Sequence, residues 1–153
     1  ISLTQKIQIL TKKEMKNWPL IGGWMKALNC IFLDRKNARQ GMKDMKNAIS
    51  KVEDGYSYVI FPEGSRTKNG EVGEFKKGSF KLAKDSKVRI LPLTICGTYE
   101  VQSKKSLKVK GNKNIKVIVD KPIDLTNLPI QEQKNIHKIV NDIIRENLKK
   151  YKM

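Results

Sequence analysis

Residues 61–67 carry side chains whose types and order could bind a small phosphorylated molecule. The segment reads Phe-Pro-Glu-Gly-Ser-Arg-Thr. Glu63 offers a carboxylate acceptor for a hydroxyl group, and Arg66 offers a planar, permanently charged fork suited to a phosphate monoester. Ser65 can add a hydroxyl donor, and Gly64 lets the backbone turn where a side chain would clash. The alternative is a turn between a strand and a helix that carries only a solvated ion pair.

The elements around this segment place it at the end of a strand. Residues 56–61 are rich in β-branched and aromatic side chains and predict a strand that Pro62 ends. Before it, apolar residues three and four positions apart predict a helix over 38–52, with Asn37 as its cap. In α/β folds functional groups collect in loops at the carboxyl ends of strands, so the segment 61–67 lies where a site is expected.

The rest of the chain continues this alternation of strands and helices. We predict strands over 6–10, 30–33, 89–95 and 115–119, a short helix within 18–25, a helical segment over 75–83, an exposed hairpin or loop over 103–114, and a C-terminal helix over 136–148. Strands alternating with helices predict an α/β fold with a mixed, mainly parallel sheet flanked by helices. No repeat or linker divides the chain, so residues 1–153 are predicted to form a single domain.

The composition restricts the class of protein but does not identify its binding partner. The 153 residues are 39% hydrophobic and include 32 Lys and Arg against 15 Asp and Glu, a net charge of +17. Such a charge favours polyanions, meaning nucleic acid, anionic lipid headgroups or phosphorylated substrates. Cys30 and Cys96 are isolated, which argues against a metal site and suits a reducing compartment. No apolar run reaches the roughly 18–20 residues that a membrane-spanning helix needs.

Segment 61–67 resembles the third sequence block of the glycerolipid acyltransferase family, whose core reads Phe-Pro-Glu-Gly-Thr/Ser-Arg. Other segments resemble further parts of the family in the same order: Lys12-Lys13-Glu14-Met15, Cys30-Ile31-Phe32-Leu33-Asp34-Arg35, Phe75-Lys76-Lys77-Gly78-Ser79-Phe80 and Leu91-Pro92-Leu93-Thr94-Ile95-Cys96-Gly97-Thr98. The sequence of these segments is most similar to that of bacterial 1-acyl-sn-glycerol-3-phosphate (lysophosphatidate) acyltransferases. The resemblance implies a glycerolphosphate-acyltransferase-like fold.

The resemblance also implies a reaction. A fatty acyl group would pass from an acyl thioester, on coenzyme A or acyl carrier protein, to the free hydroxyl of lysophosphatidate, giving phosphatidate for phospholipid biosynthesis. The thioester is a co-substrate, and neither a cofactor nor a metal is expected.

The resemblance implies a set of residues that would bind the acceptor: Lys13, Arg35, Glu63, Gly64, Ser65 and Arg66. Within it, Glu63 would hold the hydroxyl-bearing backbone of the acceptor. Arg66 and Arg35 would grip its phosphate, with Lys13 assisting. Pro92 would shape the acyl-donor side of the site.

The base that activates the acceptor hydroxyl is not among these residues. The family's first block, His-x-x-x-x-Asp, uses its histidine as general base and its aspartate to orient the ring. The resemblance places that block upstream of Ile1, so we expect a domain lacking its N-terminal part, no catalytic residue in this chain and no turnover by the chain alone. His137 and Asp142 match the spacing. On a helix, however, five residues advance about 500°, which points the two side chains to different faces.

Large apolar side chains next to lysines predict a contact with a membrane. Trp18, Trp24 and their apolar neighbours lie within the lysine-rich range 12–26, a combination that suits the surface of an anionic bilayer. We therefore expect the protein at the cytoplasmic face of the cell membrane, peripheral or anchored by an N-terminal segment. A helix packed into the core is the alternative.

Two alternatives to lysophosphatidate acylation stay open. A related acyltransferase would use glycerol 3-phosphate or another lysolipid as its acceptor. From another class, a basic nucleic-acid-binding domain would explain the net charge of +17, and a steep salt dependence of duplex binding would favour it. The family resemblance gives no reason to expect nucleic acid as a partner.

Overall fold

The computed structural model describes residues 6–34, 36–67, 69–102, 108–111 and 114–151. The chain divides into two compact units, residues 1–60 and residues 61–153. Each unit has its own sheet and its own buried side chains. The single-domain organisation expected from the sequence stays a prediction.

The first unit is built on a three-stranded parallel sheet. Its strands, in spatial order, are β2 (Ile31–Leu33), β1 (Ile7–Lys12) and β3 (Ser57–Val59). In the register of the sheet, Leu10 lies opposite Ile31. A hairpin cannot join parallel neighbours, so each connection must cross over the sheet. The parallel pairing expected from the alternation of strands and helices is confirmed for these three strands.

Two helices make the crossover connections. Helix α1 (Ile21–Ala27) follows a 3₁₀ turn over Lys13–Asn17, and helix α2 (Ala38–Glu53) joins β2 to β3. The start of α2 is the predicted one, because the Asn37 side-chain oxygen accepts a hydrogen bond from the Gln40 N–H at 3.1 Å. That bond satisfies one of the backbone donors that a helix leaves unpaired at its beginning.

The buried face of α2 differs from the predicted apolar stripe, which did not include Ala48 and comprised Ala38, Met42, Met45, Ile49 and Val52. Met45 and Ala48 are buried, whereas Met42 is 60% exposed. Three residues along a helix turn the side-chain direction by about 300°, so positions 42 and 45 point about 60° apart. Met42 therefore lies at the solvent edge of the stripe rather than inside it.

A buried polar contact joins β1 to β3. The Tyr58 hydroxyl donates to Gln8 Oε1 at 2.7 Å, and Gln8 is almost fully buried. Burial raises the pKa of Tyr58 to about 12, because the phenolate would lose hydration. The phenol consequently stays protonated and keeps its role as the donor.

The second unit combines a two-stranded antiparallel sheet with the C-terminal helix. Its helices and strands are, in chain order, α3 (Lys81–Asp85), β4 (Leu93–Cys96), α4 (Thr98–Val101), β5 (Lys116–Val119) and α5 (Ile130–Lys150). In the sheet, Leu93 lies opposite Val119. Helix α5 packs against β4.

The core of the second unit forms along one face of α5. Ile136, Val140 and Ile144 are buried there and pack with Phe75 and Phe80. Their spacing of four residues places the three aliphatic side chains on one side of the helix, as the sequence pattern predicted. This core lies next to the loop that carries the candidate site residues of the second unit.

One predicted strand was too long. The strand expected over 89–95 begins only at Leu93. Pro92 has no N–H to donate, and before it only Ile90 forms an isolated antiparallel bridge, to Ile123. The proline therefore ends regular pairing rather than lying inside the strand.

One further prediction differs from the structure in the type of helix, and another falls partly outside the described residues. The helical segment expected over 75–83 is a 3₁₀ turn over Lys77–Phe80 that continues into α3. Gly78 lies in that turn, and a glycine lowers the tendency to form regular α-helix. The hairpin or loop expected over 103–114 includes residues 103–107 and 112–113, which lie outside the described part of the chain.

Candidate functional site

The segment 61–67 forms a tight turn in the second unit. Gly64 has a φ of +68°, and its N–H donates to the Phe61 carbonyl oxygen at 3.0 Å. A residue with a side chain rarely adopts that conformation, which explains the glycine. The Pro62 carbonyl oxygen accepts from the Lys76 N–H at 3.0 Å, and this bond ties the turn to the chain that leads into the 3₁₀ turn.

The carboxylate of Glu63 is held by backbone. Its Oε2 accepts a hydrogen bond from the Gly73 N–H at 3.1 Å, and the residue is half-buried. A carboxylate can accept several hydrogen bonds, so this contact fixes the group without using its full capacity. Glu63 is thereby able to accept a further bond from a hydroxyl group.

Arg66 is exposed and lies three residues after this fixed carboxylate. The two ion pairs found among the described residues are Lys13 with Asp34 and Lys81 with Asp85, so neither uses Arg66. The solvated Glu63–Arg66 ion pair that was the alternative interpretation is therefore not formed there. Ser65 is also exposed.

Thr67 closes the loop after Arg66. Its hydroxyl donates to the Glu71 carbonyl oxygen at 2.7 Å and accepts from the Gly70 N–H at 3.1 Å. Arg66 consequently lies between two anchored positions, Glu63 and Thr67. The turn thus presents a fixed hydrogen-bond acceptor and an exposed cation within four residues of chain.

Lys13 belongs to the first unit, where it is paired with Asp34. Its Nζ lies 2.9 Å from Asp34 Oδ2. This hydrogen bond raises the pKa of Lys13 and lowers the pKa of Asp34. The other Asp34 oxygen accepts from the N–H groups of Lys36 and Asn37. Arg35 lies outside the described residues, so its predicted role in phosphate binding stays a prediction.

His137 does not form the pair with Asp142 that its spacing suggests. Its Nδ1 is buried without a hydrogen-bond partner in the described part of the chain. Both residues line one surface pocket, so they are not separated onto different faces as expected, but they do not bond to each other. Burial lowers the pKa of His137, and Lys138, Lys77 and Lys84 lower it further. Without a bond to Asp142, the aspartate cannot orient the ring of His137 as a base requires.

Three residues that the sequence did not single out form a chain of hydrogen bonds that ends at the Glu63 carboxylate. Gly73 is its hydrogen-bond donor, Asn141 donates to the Gly73 carbonyl oxygen, and Arg145 donates to Asn141. One signal was available in the sequence, because Asn141 is a polar residue beside the apolar stripe of α5. Its partner in the loop could not be read from that signal.

The described residues contain neither a metal-ligand cluster nor a membrane-spanning helix. No group of three or more His, Cys, Asp or Glu side chains within the described ranges could hold a metal ion. Among the helices that the structure describes, none is both long and apolar enough to cross a bilayer.

The α/β fold and the Phe-Pro-Glu-Gly-Ser-Arg turn together indicate an acyltransferase. The family model described as acyltransferase matches residues 2–96, more than half of the chain, and the chain belongs to this family. The segments 12–15, 30–35, 61–67 and 75–80 all fall inside the matched range, and 91–98 runs just past it.

Individual relatives show how far the likeness extends. A chloroplastic 1-acyl-sn-glycerol-3-phosphate acyltransferase of Arabidopsis thaliana is 32% identical over 123 residues, which are 80% of this chain and 35% of the relative. A probable 1-acyl-sn-glycerol-3-phosphate acyltransferase of Mycoplasma pneumoniae is 36% identical over 129 residues, covering 80% of this chain and 47% of the relative. The chain therefore spans half or less of the length of these two proteins.

A solved structure supports the fold. The crystal structure of the 1-acyl-sn-glycerophosphate (LPA) acyltransferase PlsC from Thermotoga maritima matches with a TM-score of 0.71 and 25% identity, over 96% of this chain and 57% of that protein. The predicted mixed α/β class, with a parallel sheet and helices, is confirmed. The relatives include plant and bacterial proteins, so the narrower resemblance to bacterial enzymes stays a prediction.

Proposed function

We propose that the protein containing this chain transfers a fatty acyl group from an acyl thioester to the free hydroxyl of lysophosphatidate. The observation that carries the proposal is the turn 61–67, in which the carboxylate of Glu63 is fixed by the Gly73 N–H beside the exposed Arg66. A neutral acceptor hydroxyl needs a hydrogen-bond acceptor, and a phosphate monoester needs a cation with several donors. The membership in the acyltransferase family supports the same reaction.

In the proposed reaction, the acceptor oxygen attacks the thioester carbonyl. A new C–O ester bond forms, the C–S bond breaks, and the hydroxyl proton is transferred to the base and then to the departing thiolate. Glu63, with Gly64 and Ser65, would hold the glycerol backbone, and Arg66 would hold the phosphate. The histidine of the family's first block would be the base. The thioester, on coenzyme A or acyl carrier protein, is the second substrate.

Lys13 would assist phosphate binding in this proposal, with a smaller contribution than the arginines. The ammonium of Lys13 already has a carboxylate partner, Asp34, which offsets its charge. Arg35, which follows Asp34 directly in the sequence, keeps the phosphate-binding role that the resemblance implies.

The reaction is tested with three acceptors in the natural protein that contains this chain. We expect lysophosphatidate to give a kcat/KM about 100-fold or more above that of monoacylglycerol, which lacks the phosphate that Arg66 would bind. Glycerol 3-phosphate should be used less well than lysophosphatidate. Product formation from a labelled acyl thioester measures all three, with thioester hydrolysis in the absence of acceptor as the control. Equal use of monoacylglycerol, or a preference for glycerol 3-phosphate, would contradict the proposed acceptor.

We further propose that the first unit contacts an anionic membrane surface, on the cytoplasmic side of the cell membrane. Support comes from the range 18–28, here called the apolar patch, where Trp18 is 52%, Leu20 86% and Trp24 75% exposed. Exposed lysines precede it at positions 12, 13 and 16, and another lies within it at position 26. Tryptophans with flanking lysines suit the headgroup region of anionic bilayers, and exposure of the side chains speaks against the alternative of a helix packed into the core.

Vesicle binding tests the membrane proposal. Replacing Trp18 and Trp24 together by alanine should weaken binding to phosphatidylglycerol-containing vesicles at least about tenfold, because two large apolar groups no longer enter the bilayer surface. The double variant Val117→Ala/Val119→Ala is the matched control, since it removes exposed apolar groups from the second unit. Unchanged vesicle affinity of the tryptophan variant, or an equal loss of affinity in the control, would show that the apolar patch does not make the membrane contact.

A further inference from the structure

Helix α5 holds the backbone that in turn holds Glu63. Asn141 Nδ2 donates to the Gly73 carbonyl oxygen at 2.9 Å, and the Gly73 N–H donates to Glu63 Oε2 at 3.1 Å. Both bonds involve one residue, so the backbone of Gly73 is fixed from two sides. A glycine has no side chain to restrict its own backbone, and its orientation therefore depends on such bonds.

Arg145 determines which way the Asn141 amide faces. Its Nε donates to Asn141 Oδ1 at 2.7 Å, and its terminal nitrogen donates to the Val72 carbonyl oxygen at 2.9 Å. A guanidinium only donates, so it binds the oxygen end of the amide and leaves the nitrogen end for Gly73. Arg145 thus links α5 to Val72 directly and to Gly73 through the Asn141 amide.

Asn141 is buried, so its side-chain amide needs the hydrogen bonds described above. The residue is 8% exposed and lies between the core residues Val140 and Ile144. A polar side chain buried there costs free energy unless it is hydrogen-bonded. Both ends of its amide are used, one on the loop backbone and one on Arg145.

We infer that Asn141 and Arg145 are positioning residues for Glu63. By setting the Gly73 N–H against the carboxylate, they determine where Glu63 can hold the glycerol hydroxyl of the acceptor. The inference rests on the proposed role of Glu63 in acceptor binding. Neither side chain acts on the acyl thioester, so their loss weakens the binding of the acceptor alone.

The test compares Asn141→Ala with Asn147→Ala in the natural protein that contains this chain. Asn147 is a matched control, because its amide also donates from α5, to Thr94 Oγ1 at 3.1 Å and Asp120 Oδ2 at 2.8 Å. We expect Asn141→Ala to raise the KM for lysophosphatidate about five- to tenfold, while kcat and the KM for the thioester stay unchanged. Asn147→Ala should leave all three constants unchanged.

A second variant covers the case in which Asn141→Ala does not fold. Arg145 is exposed, so Arg145→Ala removes the bond that orients the amide without opening the core. We expect it to raise the KM for lysophosphatidate about two- to threefold, since the Asn141 amide would keep part of its contact with Gly73.

Combination with Glu63→Ala separates positioning from a structural role. If Asn141 acts through Glu63, then Asn141→Ala adds no further change in acceptor KM once Glu63 is gone. Full additivity, or equal acceptor KM changes in Asn141→Ala and Asn147→Ala, would overturn the positioning role. A normal acceptor KM in Glu63→Ala itself would instead overturn the proposed role of Glu63, so the two failures are distinguishable.

Discussion

Replacing Arg66 by methionine in the natural protein is expected to lower kcat/KM for lysophosphatidate at least about 100-fold. The guanidinium is exposed and takes part in neither ion pair of the described residues, so it is available to form two charged hydrogen bonds with a phosphate. Each such bond contributes about 1.5–3 kcal/mol, and methionine keeps much of the side-chain length without any donor. Steady-state kinetics with varied acceptor measures the effect.

A change of charge alone must be separated from the loss of this contact. The chain has a net charge of +17, and any lost cation could weaken attraction to an anionic lipid. Arg89→Met is the charge-matched control, because Arg89 is exposed and lies outside the turn. Arg66→Lys should fall between the two, since it keeps the charge but not the fork. Equal losses in Arg66→Met and Arg89→Met would contradict a phosphate contact at Arg66.

The largest effect on stability is expected from Ile136→Ala. Ile136 is 0% exposed and packs at the centre of the α5 core with Phe75 and Phe80. Removing a buried isoleucine side chain to its Cβ loses apolar burial and leaves a cavity, which costs about 2–5 kcal/mol. Urea unfolding followed by far-ultraviolet circular dichroism measures the decrease in the free energy of unfolding.

The same substitution at the start of the helix gives the control. Ile130 begins α5 and is 72% exposed, so Ile130→Ala should change the free energy of unfolding by less than about 0.5 kcal/mol. Helix propensity changes in the same direction at both positions, which leaves burial as the difference. Similar losses at the two positions would show that the second unit is not stabilised by the core described above.

Elements with a local signal could be predicted from the sequence. The bounds of α2 follow from its apolar spacing and the Asn37 cap, and the stripe of α5 follows from Ile136, Val140 and Ile144. Both patterns are set by residues within a few turns of each other. The turn 61–67 was also predictable, because proline and glycine restrict or free the backbone at the places where the chain turns.

Contacts between distant parts of the chain could not be predicted in this way. Asn141 and Gly73 are 68 residues apart, and Lys13 and Asp34 are 21 apart. A side chain's type shows that it needs a partner, but periodicity and turn signals do not say which backbone group will supply it. For the same reason the Asp34 partner of Lys13 could not be predicted.

The buried amide of Asn141 also restricts how α5 can be seated during folding. An apolar stripe alone tolerates sliding, since a shift of one turn, about 5.4 Å, replaces one aliphatic side chain by another. Asn141 breaks that equivalence, because in a shifted register its amide would lose the Gly73 carbonyl oxygen and stay buried, at a cost of about 1–3 kcal/mol. Asn147 restricts the register of α5 in the same way, through its hydrogen bonds to Thr94 and Asp120. The helix therefore has one register that satisfies its polar groups, and misaligned packings of the same core are penalised.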